Sequence, residues 1–393
     1  MESVFIASAV RTPIGKFGGS LAQFSAADLG VFAVKAVLER VGIEGEAVGE
    51  TIIGHARGAG NGPNIARQIS YRSGIPEQIP AYTINKACGS GLKAILLAYQ
   101  EIALGNSKVM VAGGSESMSR VPYLVENARW GLRMGNQPLV DGMYRDGFFC
   151  PLAGMVMGET AENLASIHKI SRNEQDEFAV RSQNRAARAV QDGRFKEELV
   201  PIPIKSKKGD VQMFATDEHI RMEVALADMQ KLPPVFSKAG TVTAGNSSGI
   251  TDGAAATVLV AESEAVRRNL KPLARIVDYA VAGVDPKIMG IGPVPAIRKL
   301  LGKTGMKMDD FGLIELNEAF AAQVIACTRE LPMDPDKLNV NGGAIALGHP
   351  IGCTGTRIVT TLLHEMHKRT VRYGLATLCI SGGLGIALAV EKL

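Results

Sequence analysis

The chain has 393 residues, 46% of them hydrophobic and 21% charged, with 43 basic against 39 acidic side chains and a formal net charge of +4. That length asks for two or three packed units rather than one core, and the composition lets the chain both fold and stay dissolved. The charge excess is too small to suggest a nucleic-acid partner, although it suits an anionic small molecule.

Five cysteines, Cys88, Cys150, Cys327, Cys353 and Cys379, form an odd set with no short repeated spacing. This fits neither a disulfide framework nor a Cys-x-x-Cys metal site, and it points to a reducing compartment. The N-terminus opens with Glu2 and a short mixed run from Val4 to Val10, unlike a secretion signal. The longest uncharged stretch, Gly374 to Val390, carries Gly382, Gly383 and Gly385 and reads as a turn between strands, not a membrane span. A soluble cytoplasmic protein without a membrane partner is expected.

In chain order, Val4 to Ala7 reads as a strand and Ala26 to Val41 as a helix closed by Gly42. Such alternation is the pattern of an α/β fold. A second helix starts near Cys88, carries Leu92, Ile95, Leu96, Tyr99, Ile102 and Ala103 on one face, ends at Gly105 and leads into the buried strand Val109 to Ala112. Between Arg120 and Asn246 the pattern changes, with Trp130, many methionines and a hairpin-like Lys205 to Asp210. Within it Ser171 and Glu174 make a capping box for a helix that runs to Gln191 and stops at Gly193.

The plan then repeats. A strand-like Asn339-Val340-Asn341, a glycine turn holding His349, a helix through Ile358, Leu362 and Met366, and a strand Gly374 to Ile380 echo the first half. Gly113-Gly114 and Gly382-Gly383 close the two repeats, and an internal duplication explains this most simply. The expected division is an N-terminal half over 1–268, with an inserted loop domain at about 120–249, and a C-terminal half over 269–393, joined near Asn269-Leu270-Lys271-Pro272.

The chemistry concentrates in glycine-rich turns. Cys88 lies in Asn85-Lys86-Ala87-Cys88-Gly89-Ser90-Gly91 at a helix N-terminus, where the helix dipole favours thiolate, the nucleophilic form. His349, in Gly348-His349-Pro350-Ile351-Gly352, is placed to serve as the base that takes the thiol proton. Cys379 ends a buried strand before Gly382-Gly383, where open α/β sheets bind ligands. Asn317, in Asn317-Glu318-Ala319-Phe320 after the strand Leu313 to Leu316, is placed either to cap the following helix or to hold a water or oxyanion. The small polar turn Thr243 to Gly249, before the strand Ala254 to Ala261, either punctuates the chain or offers donors to an amide-bearing ligand.

Together with Gly245-Asn246-Ser247-Ser248-Gly249, Gly342 to Gly352, Cys379-Ile380-Ser381-Gly382-Gly383, Ala9 to Gly15 and Asn127 to Gly131, these motifs closely resemble the thiolase family over nearly the whole chain. The resemblance implies two similar βαβαβαββ halves in α-β-α-β-α layers, a loop domain that binds coenzyme A, and a homotetramer built as a dimer of dimers. It implies acetyl-CoA C-acetyltransferase activity, with acetyl-CoA and acetoacetyl-CoA as ligands and neither a metal nor a covalently bound cofactor. By the same likeness Cys88 accepts the acyl group, His349 activates it, Cys379 takes a proton from the methyl carbon, and Asn317 holds a water at one oxyanion site. Backbone N–H groups at Cys88 and Ser381 form a second oxyanion site, and Ser248, Arg221, Met157, Met289, Ala319 and Phe320 contact the substrate or coenzyme A.

Two positions depart from the family pattern: Val156 stands where many short-chain members have histidine, and Ser381 where glycine is common. Basic residues of the insertion, Arg221 and Lys208 among them, are placed either to meet coenzyme A phosphates or simply to be solvated. The alternatives are a ketoacyl synthase of the same broad fold and a noncatalytic acyl-CoA binding protein that keeps it.

Overall fold

The structure, a computed structural model, describes residues 2–205 and 209–393. In the first half, β1 (Val4–Arg11), β2 (Glu50–Gly54), β3 (Ala81–Ile84), β4 (Val109–Ser117) and β5 (Thr251–Ala261) lie in the order β3-β2-β4-β5-β1. In the second, β6 (Ala274–Gly283), β7 (Leu313–Leu316), β8 (Tyr373–Ile380) and β9 (Leu384–Lys392) follow the order β7-β8-β9-β6. Once the bridge of Leu338 to Ile314 is counted as the third strand of the second half, the spatial orders correspond, so the duplication is visible in the sheet. The halves meet where Phe5 and Ile6 of β1 pair with Arg275 and Ala274 of β6, making one ten-stranded sheet that includes the short strand Gly15–Lys16 beside β5.

Strands buried on both faces need continuous apolar runs rather than alternation, and β1, β4 and β5 are buried along their whole length. Helices α1 (Ala26–Val41) and α2 (Ile65–Arg72) pack on the outer face of the first half. Helix α3 (Ser90–Ala103) lies in the middle layer and begins just after Cys88. The insertion contributes α4 (Met157–Ile167) and α5 (Arg172–Gln191), and the outer face of the second half carries α6 (Pro293–Thr304) and α7 (Ala321–Glu330). Helix α8 (Ile351–Arg369) joins α3 in the middle, buried from Ile351 through Leu363. Its Thr354 and Thr360 hydroxyls donate to the carbonyls four residues back, at 3.0 Å each, so these polar groups survive burial.

The two central helices touch backbone to backbone. A Cβ on Gly355 would lie 2.2 Å from the Leu92 nitrogen, so only glycine permits the crossing. Their N-termini come together, which brings the Cys88 and His349 turns to one place. The insertion is pinned to the sheet by Arg11, whose buried guanidinium donates to Glu198 at 2.5 Å and to both oxygens of Asp217 at 2.6 and 2.9 Å.

Three local expectations change. Gly113 and Gly114 lie within β4 and close no turn; a Cβ on Gly114 would stand 2.1 Å from the Gly352 carbonyl of α8. Asn339 to Asn341 form a turn, not a strand: the third strand of the second half shrinks to one bridge between Ile314 and Leu338, and Asn339 adopts a left-handed φ of 46°. Asn317 caps no helix, because α7 begins four residues later with Phe320 at its N-cap. The hairpin expected at Lys205 to Asp210 is present as strands Ile202–Lys205 and Val211–Phe214, while its tip with Lys208 lies outside the described residues.

Candidate active site

The Cys88 turn is shaped by its neighbours. Ala87 holds φ at 44°, a conformation costing an L-residue about 1 kcal/mol or more, so the surroundings must enforce it. Asn85 Oδ1 accepts from the Ala87 N–H at 2.9 Å. Ser90 Oγ accepts from the Lys86 N–H at 2.8 Å and donates to the Ala87 carbonyl at 2.7 Å. Gly89 lets the turn meet the strand of the second cysteine, since a Cβ there would lie 2.4 Å from Cδ1 of Ile380. Cys88 itself remains partly exposed.

His349 is 7% exposed, and its N–H donates to the Gly249 carbonyl at 3.0 Å. Its Nδ1 lies 2.6 Å from Thr354 Oγ1, whose own proton goes to the Pro350 carbonyl. Only one tautomer satisfies both contacts: Nδ1 carries the proton, and Nε2 presents a bare lone pair. That Nε2 is buried without a partner among the described residues. Burial first, then the Arg357 and Arg57 cations, bring His349 down to about 3, so the imidazole is neutral at physiological pH.

Cys379 is fully buried in β8, packed with Met157, Met289, Ala319 and Phe320 in one apolar cluster that also holds Cys150, Ala153 and Val242. Burial, reinforced by the charge of Cys88, holds the Cys379 thiol well above its usual value. Asn317, 1% exposed, has no partner for either Oδ1 or Nδ2 among the described residues. Buried amides are ordinarily hydrogen-bonded, which sets this side chain apart from the rest of the core.

The thiolate expected at Cys88 is not the resting form. Burial raises that thiol, and the N–H groups of Ser381 and Cys88, together with Arg57, offset the rise only in part. The helix dipole is outweighed because desolvation penalises the charged sulfur directly. The resting pair is thus thiol and neutral imidazole.

The remaining sequence candidates fall into two groups. The Ser248 N–H donates to the Ala319 carbonyl at 3.0 Å, and the Ala321 N–H to the Asn246 carbonyl at 2.9 Å, so the Gly245 to Gly249 turn is stitched to the Asn317 to Phe320 segment. Val156 is the N-cap of α4 and offers no polar side chain. Arg221 is exposed on the insertion, where its N–H donates to Gln183 at 3.0 Å.

Sequence reasoning missed three residues. Thr354 fixes the His349 ring, and its signal was a hydroxyl in the first turn of the helix that follows the histidine. Glu116, fully buried in β4, accepts from the N–H groups of Ala56, Arg57 and Gly352 at 3.0, 3.2 and 2.9 Å and pairs with His55 Nδ1 at 2.9 Å. A carboxylate inside an apolar strand was its signal. It clamps the N-terminus of α8 to the loop after β2. Burial favours its neutral form, but His55 and Arg57 outweigh that and draw it below the usual range, while Glu116 raises His55 against the same burial. Arg57 is the third, and nothing in the sequence marked it.

Among the described residues no group of three His, Cys, Asp or Glu side chains is arranged to hold a metal ion, and no helix is long and apolar enough to cross a membrane. The sequence matches the family descriptions "Thiolase, N-terminal domain" over residues 4–263 and "Thiolase, C-terminal domain" over residues 270–392. It is 52% identical over 392 residues to an acetyl-CoA acetyltransferase of Cupriavidus necator, covering 100% of both chains. The fold superposes on the Bacillus anthracis acetyl-CoA acetyltransferase with a TM-score of 0.98 and 46% identity, over 100% of this chain and 99% of that one. A human mitochondrial 3-ketoacyl-CoA thiolase in complex with CoA gives a TM-score of 0.96 and 45% identity, over 100% and 98%. With both halves matched and the duplicated sheet in place, the chain belongs to the thiolase family.

Proposed function

We propose that the protein is an acetyl-CoA C-acetyltransferase, catalysing the reversible condensation of two acetyl-CoA to acetoacetyl-CoA and free coenzyme A. Identity of 52% along the full length of an acetyl-CoA acetyltransferase carries this reading. The bare His349 Nε2 and the unpartnered Asn317 amide support it at the level of the site.

In the first half-reaction the Cys88 S–H gives its proton to His349 Nε2 as the sulfur attacks the thioester carbonyl. The tetrahedral oxyanion is met by the N–H groups of Cys88 and Ser381, each such donor being worth about 3 kcal/mol in comparable acyl transfer. Collapse expels the coenzyme A thiolate, which takes the proton back from His349. Covalent catalysis thereby divides one hard exchange into two accessible steps. In the second, Cys379 passes its own proton to the bare Nε2 of His349 and, as thiolate, removes a methyl proton from another acetyl-CoA; the His349 Nε2–H and a water on Asn317 stabilise the enolate oxygen, and the carbanion equivalent attacks acetyl-Cys88. Cys88 leaves as thiolate and recovers the proton held on His349, while Cys379 is left as the thiol.

Met157, Met289, Ala319, Phe320 and Ser248 are assigned to the wall that takes the acyl-pantetheine end, and Arg221 to the phosphates. The division into halves at 1–268 and 269–393, with an insertion at about 120–249, is supported by the two separately matched regions. A cytoplasmic homotetramer is part of the same proposal. Exposed apolar side chains on the insertion, Trp130 at 83% and Met134 at 94% among them, support self-association.

Mass spectrometry after brief exposure to acetyl-CoA tests the assignment. An acetyl group is expected on Cys88, absent from Cys88→Ala and retained in Cys379→Ala, which loses acetoacetyl-CoA formation. Labelling at another residue overturns the nucleophile, and normal condensation by Cys379→Ala overturns the base. A malonyl thioester requirement would mark a ketoacyl synthase instead.

A further inference from the structure

Arg57 is 6% exposed, yet its guanidinium makes no salt bridge among the described residues; Glu116 feels its charge without bonding to it. Among the described residues its Nε is buried without a partner, and its one side-chain hydrogen bond is a long contact from Nη1 to the Ala56 carbonyl at 3.4 Å. Glu116 accepts from the Arg57 backbone N–H, not from the guanidinium, and takes the His55 ring as its ionic partner. Burying a guanidinium without a hydrogen-bonded carboxylate is costly.

The residues on either side of the guanidinium pack around the nucleophile. Ala56 packs in one cluster with Cys88, Met118, Met143, Phe148 and Ile351. Asn85, which shapes the Cys88 turn, donates from Nδ2 to the Ala56 carbonyl at 3.3 Å. On the other side the guanidinium lies against Gly147, where a Cβ would be 2.7 Å from Nε and Nη2. The cation is therefore held between two segments whose Ala56 and Phe148 cluster with Cys88, and glycine at 147 leaves it room.

We propose that Arg57 is an electrostatic positioning residue of the acyl-transfer site, a buried cation that forms no salt bridge among the described residues and supports negative charge on Cys88 through space. Two stages of the reaction place charge on that sulfur: proton loss before attack, and departure as thiolate after condensation. A fixed, nearly buried cation acts at both without reorganising. The other groups facing this region do not duplicate it. Glu116 opposes the charge but is paired with His55; His349 is neutral; Arg357 of α8 faces Glu315; Cys379 adds only like charge; and half-buried Lys86 lies on the turn itself. The direction of Arg57's effect on the Cys88 thiol, downward, agrees.

This proposal rests on Cys88 as the acyl-accepting sulfur, but its test reads the thiol itself. In the full-length protein, iodoacetamide alkylation of Cys88 is followed by peptide mass spectrometry across pH for the parent, Arg57→Met, Arg57→Gln and Arg57→Lys. In both neutral variants the rise in alkylation is expected at higher pH, with a rate at pH 7 lower by about tenfold, while Arg57→Lys keeps the parent profile. A structural role alone would lower thermal stability without moving the titration. If either folded neutral variant alkylates Cys88 with the parent's pH dependence, the proposal is overturned. That result would leave the acetyl-adduct experiment untouched, so the two readings fail separately.

Discussion

Thr354 accepts the Nδ1 proton of His349 at 2.6 Å and gives its own proton to the Pro350 carbonyl, so a residue one helical turn along α8 decides which imidazole nitrogen is bare. In Thr354→Val the Nδ1–H loses its acceptor, at a cost of about 1–3 kcal/mol, and the tautomer is no longer fixed. We expect kcat for acetoacetyl-CoA thiolysis to fall about ten- to hundredfold with little change in KM, and Thr354→Ser to restore most of it. An equal loss in the serine variant would refute the hydrogen bond as the cause.

The resting thiol and neutral imidazole make a pH prediction. His349 is brought down to about 3, so it stays an unprotonated base throughout the neutral range, and the Cys88 thiol is raised by burial, so its thiolate forms late. Alkylation of Cys88 in the parent protein should therefore climb through and beyond the ordinary cysteine range, about 8.5, with no inflection near the ordinary histidine value of about 6.5. A plateau already reached at neutral pH would mean a preformed thiolate-imidazolium pair and contradict the structure.

Gly89 decides how closely the two cysteine-bearing segments approach. A methyl group in Gly89→Ala would sit 2.4 Å from Cδ1 of Ile380, the residue after Cys379. Overpacking of this kind costs about 1–3 kcal/mol and here moves the nucleophile relative to the base. Condensation should suffer more than first-step acylation, because only condensation needs both sulfurs; equal losses in the two assays would count against this geometry.

Arg11 predicts a stability effect distant from the chemistry. Arg11→Met leaves Glu198 and Asp217 buried without their shared cation, a loss of about 3–5 kcal/mol. Chemical denaturation should show that loss, or an earlier separate transition of the insertion, since both carboxylates belong to segments that Arg11 ties to β1.

Much of this protein was legible in one dimension because its signals are local. The helix from Ala26 to Val41 and its Gly42 stop, the Ser171 capping box and the strand Leu313 to Leu316 follow from period, cap and punctuation. The glycine-rich turns around Cys88, His349 and Cys379 announced chemistry for a similar reason: backbone that must come close to something excludes side chains, and that exclusion is written in residue type. What the sequence left undecided depends on distant partners. Gly113-Gly114 stays in its strand because α8 passes over it, and the expected strand at Asn339 shrinks to a bridge that no local pattern reveals. Asn317 proved to be an unpartnered buried amide rather than a cap. The protonation of Cys88 reversed because burial, a property of the whole assembly, outweighs one helix dipole. Arg57 looks like any loop arginine until the tertiary fold buries it with no carboxylate bonded to its guanidinium among the described residues.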